Sequence, residues 1–266
     1  MKCGLAMALH ALASLRSRDG VTLLVTGDEE VGSTTSRALI EAEASGARAA
    51  LVLEASADGG ALKLARKGVS SYEVTVTGRA AHAGLEPERG ANAAVEVAHQ
   101  VLAIAALGDA DAGTTVTPTV LSAGTTINTV PALGSVQVDS RAWTAAEQDR
   151  VDAGIRSLTS HVQGTALEVR GGRNRPPLEG SASAELFALS QRVAAHLEMP
   201  PLSSAAVGGA SDGNFTAGMG VPTLDGLGAV GGGAHADHEH IVVAQLEPRT
   251  RLLAGIIARL LDGEQP

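Results

Sequence analysis

The sequence predicts an α/β protein in which a parallel sheet flanked by helices is interrupted by an inserted α+β unit of ferredoxin-like order. Three observations carry that expectation. From residue 1 to about 67, helix-like and strand-like segments alternate, as they do where helical crossovers join parallel strands. Between about 69 and 172 the order becomes β-α-β-β-α-β, which closes on itself as a two-layer sandwich. After "GGRNRPP" the first alternation resumes, so residues 1–68 and 173–266 read as one domain and 69–172 as a second.

The elements follow from local pattern. Met1, Leu5, Leu9, Leu12 and Leu15 recur at helical spacing. The run "MKCGLAMALHALASL" also has the lysine and apolar stretch of a secretory leader, but His10 sits mid-run and "RSRDG" leads on into the strand-like "VTLLVTG". A helix packed on a sheet is the better reading. Val21 to Thr26 then reads as a strand, about Ser33 to Ser45 as a helix, and Ala49 to Glu54 as a second strand. "SSYEVTVTG" alternates at period two, a helix follows from about Asn92 to Ala106, and "TTVTPTVLSAG" and "SVQVDSRAW" read as strands. A helix from about Ala145 to His161 and the strand "TALEVRG" complete the inserted unit. Helices near Ala182 to Leu197 and Val243 to Leu261 close the chain, separated by the glycine-rich loops "VGGASDGN" and "GLGAVGGGAHADHEH".

Composition narrows the function classes. A chain of 266 residues with 44% hydrophobic content can bury a sizeable core. Its net charge of -9, with no basic stripe, argues against a nucleic-acid partner. Cys3 is the single cysteine, which rules out a disulfide framework and suits a reducing cytoplasm. No run reaches the ~18 apolar residues that a membrane span requires. No strand-GxGxxG-helix unit marks a dinucleotide site.

Open α/β sheets bind ligands beyond the carboxyl ends of their strands, and the chemically capable residues fall there. Glu29 and Glu30 follow the strand at Val21 to Thr26, Glu54 ends the next one, and His235 lies in the late glycine-rich loop beside Asp237, His238, Glu239 and His240. Carboxylates and imidazoles of this kind suit zinc or a similar divalent ion. Two adjacent glutamates can divide the work, one as a metal ligand and the other as a general base. The same pair can equally well begin a helix, where carboxylates favour the positive end of the dipole. Spacing alone leaves both readings open.

Six segments in order resemble one family: "TGDEEVGS", "LEASADG", "VTVTGRAAHAG", "NTVPALGSVQVDSRA", "GGASDGNF" and "GGGAHADHEH". The chain is similar to the zinc exopeptidases and deacylases of carboxypeptidase G, acetylornithine deacetylase and succinyl-diaminopimelate desuccinylase, nearest to the glutamate-carboxypeptidase-like branch. The resemblance implies a zinc-exopeptidase-like catalytic domain carrying an inserted ferredoxin-like domain that makes the dimer contact and closes over the substrate. By position, Glu29 matches the general base, Glu30 a zinc ligand, Glu54 a ligand of a second zinc, and His235 the histidine completing the set. His82 matches the histidine that polarises the scissile carbonyl in the partner subunit's site. Asn128 and Arg141 match residues contacting the substrate's backbone and terminal carboxylate, and Gly208, Gly209 and Ser211 match the loop that approaches the substrate. Cobalt or manganese would suit the same donors.

The sequence departs from the family at its start. Family members carry an earlier histidine ligand in an HxD motif and a metal-bridging aspartate just before a "MKGG"-like stretch, whereas this chain opens at "MKCG". The expectation is therefore a family hydrolase of N-acyl amino acids or small peptides that lacks the N-terminal part of its catalytic domain and is inactive as written. The alternative is a non-catalytic remnant that dimerises through the inserted domain.

Overall fold

Helix α1 (Lys2–Ser14) forms as expected in a computed structural model that describes residues 1–264. It buries Gly4, Met7, Ala8 and Ala11, however, and Met1, Leu5 and Leu9 of the leucine-spaced stripe stay exposed because the small residues allow the closer approach. Next come α2 (Arg37–Ala44), β1 (Ala50–Leu51) and β2 (Leu62–Arg66). The middle of the chain supplies β3 (Gly68–Thr77), α3 (Ala93–Ala105), β4 (Thr115–Ala123), β5 (Leu133–Ala142), α4 (Ala145–Arg156) and β6 (Ala166–Arg175). Then follow α5 (Gly180–His196), β7 (Ser204–Val207), α6 (Gly213–Gly218), β8 (Thr223–Leu224), β9 (Gly231–Gly232), β10 (His240–Ile241) and α7 (Leu246–Leu261). The chain divides into two compact units, residues 1–67 with 176 onward, and residues 68–175. The division falls slightly outside the 69–172 read from sequence because β6 keeps pairing with β3 through Arg175.

In the first unit, β1 pairs parallel with β8 and β2 parallel with β7. Leu62 and Leu224 bury against Leu186 and Leu189 of α5 and Leu252, Leu253 and Ile256 of α7, with Ala11 of α1 joining the same cluster. The expected strand at Val21 to Thr26 does not form. The segment has strand composition, but it pairs with no strand among the described residues, and Leu23 and Val25 stay 40% and 64% exposed. β propensity expresses a fit to neighbouring strands, so without one it fixes no ladder. Helix α2 likewise starts at Arg37 instead of Ser33, because the carboxylate of Asp28 holds the N–H groups of Thr35 (2.8 Å) and Ser36 (3.3 Å) in a turn.

The second unit is a four-stranded antiparallel sheet in the order β4-β5-β3-β6. Tyr72, Val74 and Val76 of β3 and Val136 and Val138 of β5 point to one face, where Val97 and Ile104 of α3 and Val151 and Ile155 of α4 cover them. Asn92 caps α3, its side chain accepting from the N–H groups of Ala94 and Val95. The alternating strand "SSYEVTVTG", a candidate for an edge that pairs with its own copy because alternation can leave one side of a strand unpaired, is β3. It lies instead in the interior, paired with β5 on one side and β6 on the other, which leaves β4 and β6 as the edges.

Helix α4 ends at Arg156, short of the expected His161, and Glu96 shows why. This carboxylate, fully buried on α3, accepts from the backbone N–H groups of His161 (2.8 Å) and Val162 (2.6 Å) and from Gln100 (2.5 Å), which holds the chain in a loop. Burial opposes its ionisation, but the hydrogen bonds from Gln100, Val162 and His161 outweigh that and hold its pKa below the usual carboxylate range. Glu96→Gln is therefore expected to destabilise the second unit by about 1–3 kcal/mol. Because the folded pKa is lowered, the contribution is present above the ordinary carboxylate value and is lost as pH falls through the folded one. Trp143, the single tryptophan, belongs to this unit, so urea unfolding followed by its fluorescence at neutral pH checks the loss. Identical midpoints for variant and parent would refute the assignment.

Candidate active site

Glu29, Glu30 and Val31 make one short 3-10 turn, closed by Gly32 and Ser33, both with positive φ (92° and 55°). Ser33 is fully buried in that left-handed conformation, which L-residues adopt only when their surroundings hold them there. Asp212, in the loop before α6, accepts from Thr26 Oγ1 at 2.8 Å and from Ser33 Oγ at 2.5 Å. The glutamate turn thus hangs between two residues attached to one distant carboxylate.

His235 lies in the loop joining β9 to β10 and also has a positive φ of 63°. The strand pair beneath it, Gly231–Gly232 with His240–Ile241, was read from sequence only as loop. A side chain at Gly231 would run into the backbone of His240, so the glycine is what lets the two strands approach. The hairpin brings His235 Nε2 to 3.8 Å from Glu30 Oε1, with both side chains open to solvent.

Glu54 follows β1 and is half-buried. Burial raises its pKa and the negative charge of Asp225 raises it further, opposed by Arg66 and Lys63. The backbone beside it is tightly packed: a side chain at Gly228 would collide with the carbonyls of Leu53 and Glu54, and one at Gly4 with the carbonyl of Leu53.

Sequence reading missed the buried charges nearby. Asp225 is fully buried and takes Arg66 through Nε at 2.7 Å and Nη2 at 3.2 Å, together with Ser211 Oγ at 2.5 Å. Arg66 Nη1 also donates to the carbonyls of Gly209 (2.8 Å) and Ala210 (3.3 Å). Ser211, matched above to a substrate loop, therefore commits its hydroxyl to the interior. Gly208 and Gly209 differ, since a side chain on either would meet nothing closer than the Arg66 guanidinium at 4.0 Å. The only advance signal for Asp225 was an acid directly after the apolar stretch "VPTL".

In the second unit, the segments around His82 and Asn128 lie side by side: Ala83 N–H donates to the Asn128 carbonyl at 2.9 Å, and His82 bridges Thr129. His82 Nδ1 accepts from the N–H groups of Gly84 (3.2 Å) and Leu85 (3.1 Å), which places the proton of the neutral ring on Nε2. Arg141 is not brought to them. It pairs with Val69 near the start of β3, whereas His82 follows the far end at Thr77, about 27 Å along the strand. Its guanidinium is bidentate to Asp139 at 3.0 and 3.3 Å.

A tetrahedral divalent ion with ligand bonds near 2.1 Å sets neighbouring donor atoms about 3.4 Å apart. The Glu30–His235 separation of 3.8 Å is close to that. Among the described residues, however, no group of three or more His, Cys, Asp or Glu side chains stands close enough to hold a metal ion. The pair is suited to a metal but does not close a site.

Comparison with known proteins places the chain. The model of peptidase family M20/M25/M40 matches residues 1–259. Carboxypeptidase G2 of Pseudomonas sp. (strain RS-16) is 31% identical over 277 aligned residues, covering 99% of this chain and 66% of that protein. The uncharacterized protein YqjE of Bacillus subtilis (strain 168) is 23% identical, covering 96% of this chain and 70% of its own. Among solved structures, aminopeptidase PepT of Bacillus cereus superposes with a TM-score of 0.77 at 23% identity, over 98% of this chain and 70% of its own. Bacillus subtilis YxeP, described as a dinuclear metal binding peptidase, gives 0.62 at 13% identity over 88% and 63%. The chain spans just under two thirds of carboxypeptidase G2 and belongs to peptidase family M20/M25/M40.

Proposed function

We propose that the protein is a metal-dependent hydrolase of amide bonds in N-acyl amino acids or small peptides. The observation that carries this is Glu30 beside His235, two donors far apart in sequence that the fold sets 3.8 Å apart. In this reading Glu30 and His235 serve one zinc ion and Glu54 another, with cobalt or manganese as substitutes. Glu29 takes the proton of the attacking water. His82 and Asn128 face the substrate together and Gly208 and Gly209 leave room for it, whereas Arg141, about 27 Å along β3 from His82 in the same chain, meets such a substrate only across a dimer, taking its carboxylate by exchanging Asp139 for the ligand. Cys3 is unpaired, in keeping with a reducing cytoplasm.

A second reading, a family member that folds and associates without catalysis, is favoured by the lack of a three-donor group among the described residues. Calorimetry with Zn²⁺ separates the two. The hydrolase reading expects turnover of N-acyl amino acids or C-terminal glutamate peptides that a chelator removes and zinc restores, whereas the second reading expects the 266-residue chain to bind at most one zinc, weakly, and to show no hydrolysis. Two tight sites, or turnover removed by a chelator and restored by zinc, would mean that other side chains complete the centre.

The same reading makes the protein a homodimer through its second unit, which has a core of its own. Edge strand β4 carries Val120 and Leu121, 54% and 53% exposed, and an unpaired edge of this kind can accept its own copy about a two-fold axis. Region 68–175 expressed alone is expected to fold and sediment as a dimer, and Leu121→Glu to sediment as a monomer. A parent that stays monomeric at high concentration would contradict this.

A further inference from the structure

We propose that Asp212 is the positioning residue for the glutamate turn: its carboxylate grips both ends of the segment Thr26–Ser33 and so fixes where Glu29 and Glu30 stand. The roles given to those two glutamates rest on the hydrolase reading, but the grip itself does not.

Two separate observations support it. The first is the bonding pattern. One oxygen of Asp212 accepts from Thr26 Oγ1 and the other from Ser33 Oγ, so a single side chain spans the turn. Bonds to a carboxylate are the stronger class, and two of them from one rigid group fix both position and orientation. Inside the turn, Val31 and Ser33 donate to the Asp28 carbonyl and Gly32 to the Glu29 carbonyl. These bonds keep the turn's shape but do not locate it on the rest of the unit.

The second observation is the contrast in support on the two sides of the contact. Ser211 N–H donates to Asn214 Oδ1, Asn214 Nδ2 donates to the carbonyls of Lys67 and Pro176, and Ser211 Oγ is held by buried Asp225. A side chain at Gly213 would strike Val52 Cγ2 at 2.8 Å. Asp212 is thus presented from a braced loop. The segment it holds follows residues 21–26, which have no ladder partner among the described residues. The buried, left-handed Ser33 fits this account, since its conformation delivers the hydroxyl to Asp212. The loop that presents Asp212 also contains Gly208 and Gly209, so whatever displaces that loop also moves the glutamate turn.

Amide hydrogen exchange on the 266-residue chain without metal tests the inference. Asp212→Ala is expected to speed exchange at Val31, Gly32 and Ser33 by at least about tenfold while leaving β3 and α7 at parent rates. The double variant Thr26→Val, Ser33→Ala should reproduce the effect, and adding it to Asp212→Ala should change little more, because all three groups belong to one contact. Should Asp212→Ala fail to fold, Asp212→Asn keeps the shape and is expected to give a smaller increase at the same three amides. Unchanged exchange there, or a rise shared equally by α7, would overturn the proposal. Zinc binding and turnover do not enter this readout, so failure of the hydrolase reading and failure of this inference remain distinguishable.

Discussion

Asp225→Ala is expected to destabilise the first unit by about 3–5 kcal/mol, the range for a buried ion pair broken from one side. Arg66 is left charged and only 4% exposed, able to donate only to the Gly209 and Ala210 carbonyls, while Ser211 loses its acceptor. Urea unfolding followed by far-ultraviolet circular dichroism reads the loss, and Trp143 fluorescence reads the second unit beside it. Replacing both partners, Arg66→Met with Asp225→Leu, should recover much of the stability, because the cost lies in the orphaned charge. A double variant as unstable as Asp225→Ala would show that the pair is needed for its geometry.

Glu29→Gln carries the largest expected effect on chemistry. In a form of the protein with measurable turnover, loss of the proton acceptor should lower kcat by at least ~10²-fold, while metal content stays at the parent level. Glu30→Gln should instead reduce bound metal, since it removes a donor. Metal analysis alongside kinetics therefore tells the two neighbours apart. Equal rates for parent and Glu29→Gln would remove Glu29 from the reaction.

Much of the second unit was legible because its instructions are local. The Asn92 cap, the period-two alternation of β3 and the β-α-β-β-α-β order are written within a few residues of where they act. Where reading failed, the deciding partner was remote. Val21 to Thr26 has the residues of a strand, yet a strand also needs a neighbour, and composition does not say whether one arrives. The alternation of β3 reports which face is buried and is silent about the two sides, so its interior place between β5 and β6 was not legible. In the candidate site, Glu30 and His235 were singled out and the fold does bring them together, but Asp225 and Arg66 were not noticed. Their pairing joins positions 159 residues apart, on opposite sides of the whole second unit in the sequence, and a buried charge has no sequence signature until its counter-charge is in view. Asp212 was quoted within a motif without a role, which became visible only beside Thr26 and Ser33.

The nesting of one unit within the other has a consequence for the order in which a growing chain acquires structure. Every strand of the second unit lies between Gly68 and Arg175, so its sheet and both covering helices can close once residue 175 leaves the ribosome. The first unit must wait, since β1 and β2 find their partners only in β8 and β7, and α1 packs on α7, which ends at Leu261. Pairings of such long sequence separation form slowly. During synthesis residues 1–67, whose Leu23 and Val25 are exposed even in the folded unit, wait without their strand partners, the kind of state in which open apolar surface favours aggregation.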